Sequence, residues 1–446
     1  MKNLVFIGSH LGYPMEKTPL GGGAMVGLQL VRHWPKDGSF KLAVLGSGPE
    51  PPDKGIDYVQ LPKAGPHPAP VKLSELEYAR FSRDFEAGTT EWLLAQRERL
   101  PPARTCVMVN DIAEGPDLEK LSCAGYPIVS VWHVDVVDYF NKLYLRNIVR
   151  PERLTRVYER SRRLGMRWVI PDMLQVVFEK QRNTVHYSDR MIMPSSTMAA
   201  TVGRCYGYLL KSGEDWNVRM SVIPWGMWRQ DVPDEASQAQ AESLRKHFQI
   251  GPETAVLMTL SRISPEKGLH LLLLALKAVE SDERFAGKDI CLFLCGEPAF
   301  MQGAAYMRTV EACAAGLKRV RVFFPGYLAA PDKAAYFRLA DVFISPSVHE
   351  SYGLNVVEAM QAGVAILASD HYGVRDIVDP SFGRVVHYPS RTKAPERLAA
   401  ALIELLSDPE RLKEMGRAAS AAAERMPFSD TARKVLACGL GLLEGG

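Results

Sequence analysis

Short apolar runs recur along the whole chain, and stretches with helical spacing separate them. The runs cover residues 3–8, 41–46, 105–110, 127–133, 190–195 and 220–225 in the first half, and 255–261, 290–296, 319–326, 341–347, 364–370 and 383–388 in the second. Continuously apolar strands that alternate with helices are typical of parallel sheets buried on both faces. The pattern therefore predicts an α/β protein with two doubly wound, Rossmann-like domains.

The alternation lapses in a polar stretch that contains Pro233, and a chain of 446 residues exceeds what one hydrophobic core usually organises. We therefore predict an N-terminal domain over residues 1–225, a hinge over 226–240 and a C-terminal domain over 241–426. Residues 427–446 are expected to form a helix and a short tail, for which packing back on the N-terminal domain is one option.

Composition adds few constraints. Apolar residues make up 47% of the chain and charged residues 24%, as in ordinary folded proteins. No apolar run approaches the roughly 18 residues of a membrane helix, and the apolar stretch at the start is too short for a signal peptide core. The seven cysteines are scattered, without a C-x-x-C pair, which favours reduced thiols and no zinc site. These features predict a cytoplasmic protein.

Two glutamates flank a glycine in the segment HESYGLNVVEAM, residues 349–360. The spacing predicts a helix that begins near Gly353 and ends at Gly363. The first amides of a helix have no partner within it and carry partial positive charge, which suits a phosphate. Glu350 and Glu358 can each accept two hydrogen bonds from neighbouring sugar hydroxyls. The arrangement suggests a sugar nucleotide, and two exposed acids beside a helix dipole are the plain alternative.

A second loop offers cations. The segment LSRISPEKG, residues 260–268, follows a buried strand and places Arg262 and Lys267 at its carboxyl end, where open parallel sheets bind ligands. A guanidinium and an ammonium together suit a diphosphate. Two solvated loop charges are the alternative for either residue alone.

The segments SRISPEKG and SPSVHESYGLNVVEAMQAGVAILASD closely resemble the donor half of the retaining glycosyltransferases of family 4. This resemblance implies the GT-B fold, in which two Rossmann-like domains face each other across a cleft. It also implies transfer of a sugar from a nucleoside diphosphate sugar to an acceptor hydroxyl, with retention at the anomeric carbon. The donor base stays open among UDP, GDP, ADP and dTDP sugars, and the acceptor is not indicated.

The same resemblance implies roles for individual residues. Arg262 and Lys267 would hold the donor diphosphate, Glu350 would contact the transferred sugar, and Glu358 would bind the ribose. The backbone amides expected to meet the sugar and the distal phosphate are those of Tyr352, Gly353, Leu354 and Asn355. The glycine-rich turn after the next strand corresponds to Gly296 and Glu297, although a second glycine usual there is replaced, and the stretch that meets the base surrounds Tyr327.

The N-terminal half offers weaker candidates. Gly22 and Gly23 precede a helix but lack the G-x-G-x-x-G spacing of a nicotinamide site. The resemblance implies that they approach the donor phosphate and the acceptor, and a plain tight turn is the alternative. His133 ends a strand, where the family has a histidine that contacts the donor sugar, so the resemblance implies a catalytic role, and a structural histidine is the alternative. Asn110 and Asp111 end another strand and are weaker candidates to face the acceptor.

The remaining predictions concern metals, the type of activity, and binding to nucleic acid or membranes. The absence of a D-x-D triplet predicts no essential metal. A sugar-nucleotide epimerase of similar fold, or a catalytically silent scaffold, remains an alternative to the transferase. Net charge is +3, which does not indicate nucleic-acid binding, but residues 142–167 contain nine basic and two acidic residues. Spacing places Arg146, Arg150, Arg153 and Arg160 on roughly one helical face, which would suit an anionic membrane or acceptor, or only solvent.

Overall fold

The computed structural model describes residues 1–14, 21–62, 73, 75–144, 149–166, 172–210, 215–228, 232–299 and 303–444. The chain divides into two compact units. The N-terminal unit comprises residues 1–225 with 428–446, and the C-terminal unit comprises residues 226–427. Among the described residues, no helix combines the length and the apolar character needed to cross a membrane.

The N-terminal unit is built on a sheet of seven parallel strands in the order β3-β2-β1-β4-β5-β6-β7. Its strands are β1 (Lys2–Ile7), β2 (Phe40–Gly46), β3 (Asp57–Gln60), β4 (Thr105–Val109), β5 (Ile128–Val131), β6 (Arg190–Met193) and β7 (Met220–Val222). Its helices before the second unit are α1 (Gly22–His33), α2 (Glu75–Ala95), α3 (Leu118–Cys123), α4 (Val136–Tyr144), α5 (Pro151–Arg163), α6 (Asp172–Tyr187), α7 (Ser196–Tyr206) and α8 (Trp216–Arg219).

The C-terminal unit has a six-stranded parallel sheet in the order β10-β9-β8-β11-β12-β13. Its strands are β8 (Ala255–Leu260), β9 (Ile290–Cys295), β10 (Val320–Gly326), β11 (Val342–Ser345), β12 (Ala365–Ser369) and β13 (Gly383–Val386). Its helices are α9 (Asp234–His247), α10 (Leu269–Val279), α11 (Gly303–Ala315), α12 (Ala330–Leu339), α13 (Leu354–Gln361), α14 (Tyr372–Ile377), α15 (Ala394–Leu406) and α16 (Pro409–Glu424).

The last helix, α17 (Phe428–Gly441), belongs to the N-terminal unit. The Trp34 indole donates to the carbonyl oxygen of Ala432 at 3.0 Å, and the Thr431 hydroxyl donates to that of Pro224 at 2.9 Å. Buried polar groups need such partners, because an unpaired one is costly. These bonds tie the end of the chain to the first sheet's unit.

The predicted α/β class with two Rossmann-like, parallel-sheet domains is confirmed. Each of the twelve apolar runs covers all or nearly all of a strand, and β3 is an additional strand that no run predicted. It lies at the sheet edge, where partial exposure permits the polar sequence DYVQ. Helix α9 begins at Asp234, inside the polar stretch 226–240 that is predicted to be a hinge, with Asp234 and Glu235 in a first turn that favours acids.

Each sheet has one point at which the strand order reverses. In the N-terminal unit it lies between β1 and β4, and in the C-terminal unit between β8 and β11. Neighbouring connections leave such a point on opposite faces of the sheet, which opens a crevice at the carboxyl ends of the two strands. Ligands of open α/β sheets bind there, so functional side chains are expected among the residues that follow these four strands.

Candidate functional site

The loops that follow β8 and β11 contact each other at the crevice of the C-terminal unit. Gly268 has a φ of 64°, and a Cβ atom there would lie 2.2 Å from the carbonyl oxygen of Pro346. The amides of Val348 and His349 donate to the carbonyl oxygen of Glu266 at 2.7 and 3.3 Å. Because only glycine permits this approach, the segment SPEKG is held against the segment that leads into α13.

The contact joins two of the predicted residues directly. Lys267 Nζ donates to Glu350 Oε2 at 2.5 Å, and the two side chains are only 11% and 17% exposed. Burial raises the pKa of the Glu350 carboxyl, but the charges of Lys267 and Arg262 outweigh it and leave that pKa below its ordinary value. Glu350 is therefore ionised at neutral pH, and Arg262 is close enough to act on it.

Gly353 lies between the loop and α13. Its φ is 100°, a left-handed conformation that side chains other than glycine rarely adopt, and α13 begins at the next residue. The N-cap residue, Gly353, has no side chain to cap the helix, and Asn355 Oδ1 accepts a hydrogen bond from the amide of Val356 at 3.0 Å. Asn355 Nδ2 donates to the carbonyl oxygen of Leu260 at 2.6 Å, which fixes α13 against the end of β8. The N-terminus of α13 thus faces the crevice, where its amides suit an anion.

The far side of α13 holds a second ion pair. Lys333 Nζ on α12 donates to Glu358 Oε1 at 2.6 Å. Burial raises the pKa of the Tyr327 phenol, and the nearby carboxylates of Glu358 and Glu297 raise it further, so these three residues face one region. Half of the Tyr327 side chain is exposed there. Sequence reasoning missed Lys333, which no strand end or motif marks.

Two other predicted residues, Gly296 and Tyr352, are packed closely against the backbone of neighbouring segments. Gly296 has a φ of 133°, and a Cβ atom there would lie 1.8 Å from the carbonyl oxygen of Ser261. Its amide donates to the carbonyl oxygen of Gly326 at 2.7 Å. Tyr352 is buried, with Gly373 packed on its backbone. Backbone geometry, rather than side-chain chemistry, is therefore what these positions supply.

His133 lies at the crevice of the N-terminal unit. Its Nε2 is 3.1 Å from Asn110 Oδ1, and Asn110 Nδ2 donates to the carbonyl oxygen of Gly23 at 3.1 Å. A Cβ atom at Gly23 would lie 2.8 Å from the His133 ring, which packs against Trp225 at a centroid distance of 5.5 Å. Burial lowers the pKa of His133 to about 4, so its imidazole is neutral at neutral pH.

The structure brings the glycine turn, the histidine and the strand-end asparagine together. Gly22 begins α1 and Gly23 follows it, so the start of this helix meets the ends of β4 and β5. Asp111 lies with His10 and Glu114, and one ligand atom from each is within 4.8 Å of the others. Sequence reasoning did not single out His10 or Glu114, because they lie in separate loops whose meeting depends on the sheet order.

The basic window contains helix α5. Arg153, Arg156, Arg160 and Arg163 are exposed along it, as are Val157 within the helix and Leu164 and Met166 after it. Glu159 is buried and accepts hydrogen bonds from Arg162 and Arg182. Arg150 precedes the helix and is exposed, and Arg146 lies outside the described residues. The exposed face thus combines arginines with apolar side chains.

Comparison with solved structures identifies the fold. Sucrose-phosphate synthase from Thermosynechococcus elongatus superposes with a TM-score of 0.69 at 16% identity, over 100% of both chains. Anabaena HepE in complex with UDP and glucose superposes with a TM-score of 0.63 at 15% identity, over 98% of both chains. Identities this low show the fold alone, which is the GT-B fold of two Rossmann-like domains.

Sequence comparison matches most of the C-terminal unit to one family. Residues 240–422 match the family described as glycosyl transferases group 1. A D-inositol 3-phosphate glycosyltransferase from Segniliparus rotundus is 31% identical over 281 residues, which cover 62% of this chain and 57% of the relative. The chain therefore spans little more than half the length of this curated relative. The C-terminal unit is a glycosyl transferases group 1 domain, as the motif resemblance indicated.

Proposed function

We propose that the protein transfers a sugar from a nucleoside diphosphate sugar to an acceptor hydroxyl, with retention at the anomeric carbon. The observation that carries this proposal is the crevice between β8 and β11, where the start of α13 at Gly353 lies beside the Lys267–Glu350 pair. An anion-binding helix end with a buried cation and a buried carboxylate beside it matches a ligand that joins a diphosphate to a sugar. Membership of the C-terminal unit in the glycosyl transferases group 1 supports it.

The donor would lie along α13. Arg262, Lys267 and the amides at the helix start would hold the diphosphate, and Glu350 would accept hydrogen bonds from hydroxyls of the sugar. Glu358 would bind the ribose, with Tyr327 on the side of the base. The complex of Anabaena HepE with UDP and glucose makes a UDP hexose a reasonable first donor to test, and GDP, ADP and dTDP sugars follow.

In the transfer, the bond between the anomeric carbon and a diphosphate oxygen breaks, and a bond from the acceptor oxygen to that carbon forms on the same face. The acceptor proton passes to the departing diphosphate. Arg262, Lys267 and the α13 amides stabilise the negative charge that develops there, and losing one such donor typically raises the barrier by roughly 3 kcal/mol. The neutral His133 imidazole can donate or accept one hydrogen bond with a sugar hydroxyl.

Lys267 must serve two partners in this mechanism. In the structure its ammonium is bound to Glu350, and an incoming phosphate would share it rather than find it free. An ammonium has three donor hydrogens, so one lysine can bridge a carboxylate and a phosphate oxygen. The pair would therefore align the sugar-binding carboxylate with the leaving group. We propose no metal for this step.

A thermal-shift screen against UDP, GDP, ADP and dTDP sugars tests the donor site. Selective stabilisation by one nucleotide, lost in Lys267→Met and in Glu358→Gln, supports the proposal, because a ligand of the native state raises its stability. Lys393→Met and Glu396→Gln, an exposed ion pair elsewhere in the same unit, are the matched controls and should keep the shift. No shift at millimolar ligand would favour the silent scaffold, and a product formed without any acceptor would favour the epimerase.

We also propose that the exposed face of α5 contacts an anionic membrane. Arginines alone would suit any polyanion, but Val157, Leu164 and Met166 add apolar surface that lipid can bury. Binding to vesicles with anionic lipid should fall steeply with salt and in Arg153→Ala/Arg160→Ala. Arg83→Ala/Arg97→Ala removes the same charge from another exposed part of this unit and should bind normally. Equal binding to neutral vesicles, or none, would refute the contact.

A further inference from the structure

The crevice between β1 and β4 contains a group of side chains that the proposed transfer does not use. His10 lies in the loop after β1, and Asp111 and Glu114 lie in the loop after β4. One nitrogen of His10 and one oxygen of each carboxylate lie within 4.8 Å of one another. Three ligand-type atoms from two separate loops therefore converge at the place where an open sheet binds ligands.

His10 is largely buried at this crevice, and one of its ring nitrogens makes no hydrogen bond. Its side chain is 18% exposed, and its buried Nδ1 has no hydrogen-bond partner. Its Nε2 lies 3.9 Å from Glu114 Oε2, beyond hydrogen-bond distance. Two atoms that each lie about 2.1 Å from one metal ion are about 3 to 4 Å apart. The separation fits two ligands of one ion better than a direct hydrogen bond.

The carboxylates are held in position by other contacts. Glu114 is 2% exposed, its Oε1 accepts a hydrogen bond from the Tyr78 hydroxyl, and its Oε2 lies 3.4 Å from the Ser9 hydroxyl. Asp111 Oδ1 accepts a hydrogen bond from the amide of Ala113 at 3.0 Å. Such supporting bonds orient the ligands of metal sites and cost affinity when they are removed.

The donor atoms of the group favour a cation. In the C-terminal unit Arg262 and Lys267 are paired with Glu266 and Glu350, whereas this group offers carboxyl oxygens and an imidazole nitrogen that form no ion pair with a lysine or arginine among the described residues. One nitrogen and two oxygen ligands suit divalent ions such as Mn²⁺, Co²⁺ and Zn²⁺ better than Ca²⁺ or Mg²⁺, which prefer oxygen alone. Three protein ligands leave coordination positions open, as in sites where an ion also binds a substrate oxygen.

We propose that His10, Asp111 and Glu114 bind one divalent transition-metal ion. The sequence predicts no essential metal and no zinc site, and this proposal departs from that prediction for an ion held by the N-terminal unit. The proposal does not depend on the proposed transfer, because metal binding is measured without a sugar nucleotide. The competing explanation is a buried pair of carboxyl groups that shares a proton and takes no ion.

Cobalt binding to the full chain tests the site. The protein is treated with EDTA, dialysed and titrated with Co²⁺, while calorimetry gives the stoichiometry and the visible absorption of Co²⁺ reports its ligands. We expect one ion per chain, and affinity reduced at least about tenfold in Asp111→Asn and in His10→Gln. Glu98→Gln removes an exposed carboxylate of the same unit, outside the group, and should bind normally.

Circular dichroism of each variant shows whether it is folded. Tyr78→Phe is a milder substitution than the changes to the ligand residues themselves. It removes only the hydroxyl that supports Glu114, so it should weaken Co²⁺ binding and leave the stoichiometry unchanged. Absence of Co²⁺, Mn²⁺ and Zn²⁺ binding to the native chain at micromolar concentration would overturn the proposal in favour of the shared proton. Equal binding by the native chain and by folded Asp111→Asn and His10→Gln would overturn it as well.

Discussion

We expect the pair between Lys267 and Glu350 to stabilise the C-terminal unit as well as to bind ligand. Net hydrogen bonds to charged groups contribute about 1.5 to 3 kcal/mol, and removing one partner of a buried pair costs about 3 to 5 kcal/mol. The two side chains are only 11% and 17% exposed, so the cost for a buried pair applies to them more closely than the value for an exposed one. Arg262 partly compensates Glu350 when Lys267 is lost, so we expect about 3 kcal/mol for Lys267→Met.

A double-mutant cycle separates the pair from its surroundings. Lys267→Met, Glu350→Gln and the double variant are unfolded in urea, and the free energy of unfolding is compared with that of the native chain. We expect a coupling energy of about 2 kcal/mol, because the double variant leaves no unpaired charge. The same cycle on Lys393 and Glu396, whose side chains are 65% and 72% exposed, should give a coupling energy close to zero.

The pH dependence of the free energy of unfolding is an independent check on the contribution of the Lys267–Glu350 pair. The pKa of Glu350 is lower in the folded protein than in the unfolded chain, so its contribution is complete above the unfolded value and is lost as the pH falls through the folded value. Stability should therefore decline below about pH 4.5 more steeply in the native chain than in Glu350→Gln. A coupling energy below about 0.5 kcal/mol, or identical slopes in acid, would refute the reasoning.

Three further predictions follow from single residues. Gly353→Ala should cost about 1 to 2 kcal/mol in urea unfolding because of its φ of 100°, whereas Gly207→Ala, at φ −51° with open space, should not destabilise. Gly23→Ala should displace His133 and slow sugar transfer by on the order of a hundredfold, whereas Gly21→Ala, with open space, should retain full rate. The lowered pKa of His133 should make unfolding easier as the pH drops from about 6.5 towards 4, by up to about 1.4 kcal/mol per pH unit, and His133→Gln should remove that slope.

Most of the fold could be predicted from the sequence because buried parallel strands have a distinctive pattern. Twelve apolar runs contain strands, since a strand covered on both faces must be apolar throughout. The edge strand β3 and the start of α9 were missed for the opposite reason. Half-exposed elements tolerate polar residues, so neither DYVQ nor the acid-rich start of α9 differs from a loop in composition.

The candidate donor residues could be proposed because their motifs are contiguous. Residues 260–268 and 349–360 each place several groups within one short segment, and the reversal between β8 and β11 brings the two segments together. Lys333 could not be found this way, because it reaches Glu358 from a helix that carries no motif. His10 and Glu114 are about a hundred residues apart and meet only because β1 pairs with β4.

The two crevices show why fold alone does not determine the ligand. Both lie at the carboxyl ends of parallel strands where the strand order reverses, so the topology places a binding site in each unit. The loops then supply different ligand atoms, with the cations Arg262 and Lys267 after β8 and the carboxyl groups of Asp111 and Glu114 after β4. The proposed ligands differ accordingly, an anion in the first crevice and a cation in the second. The solved structures with 15% and 16% identity share the fold, but identities this low do not imply the same side chains in the loops. The acceptor must therefore be inferred from the loops of this chain.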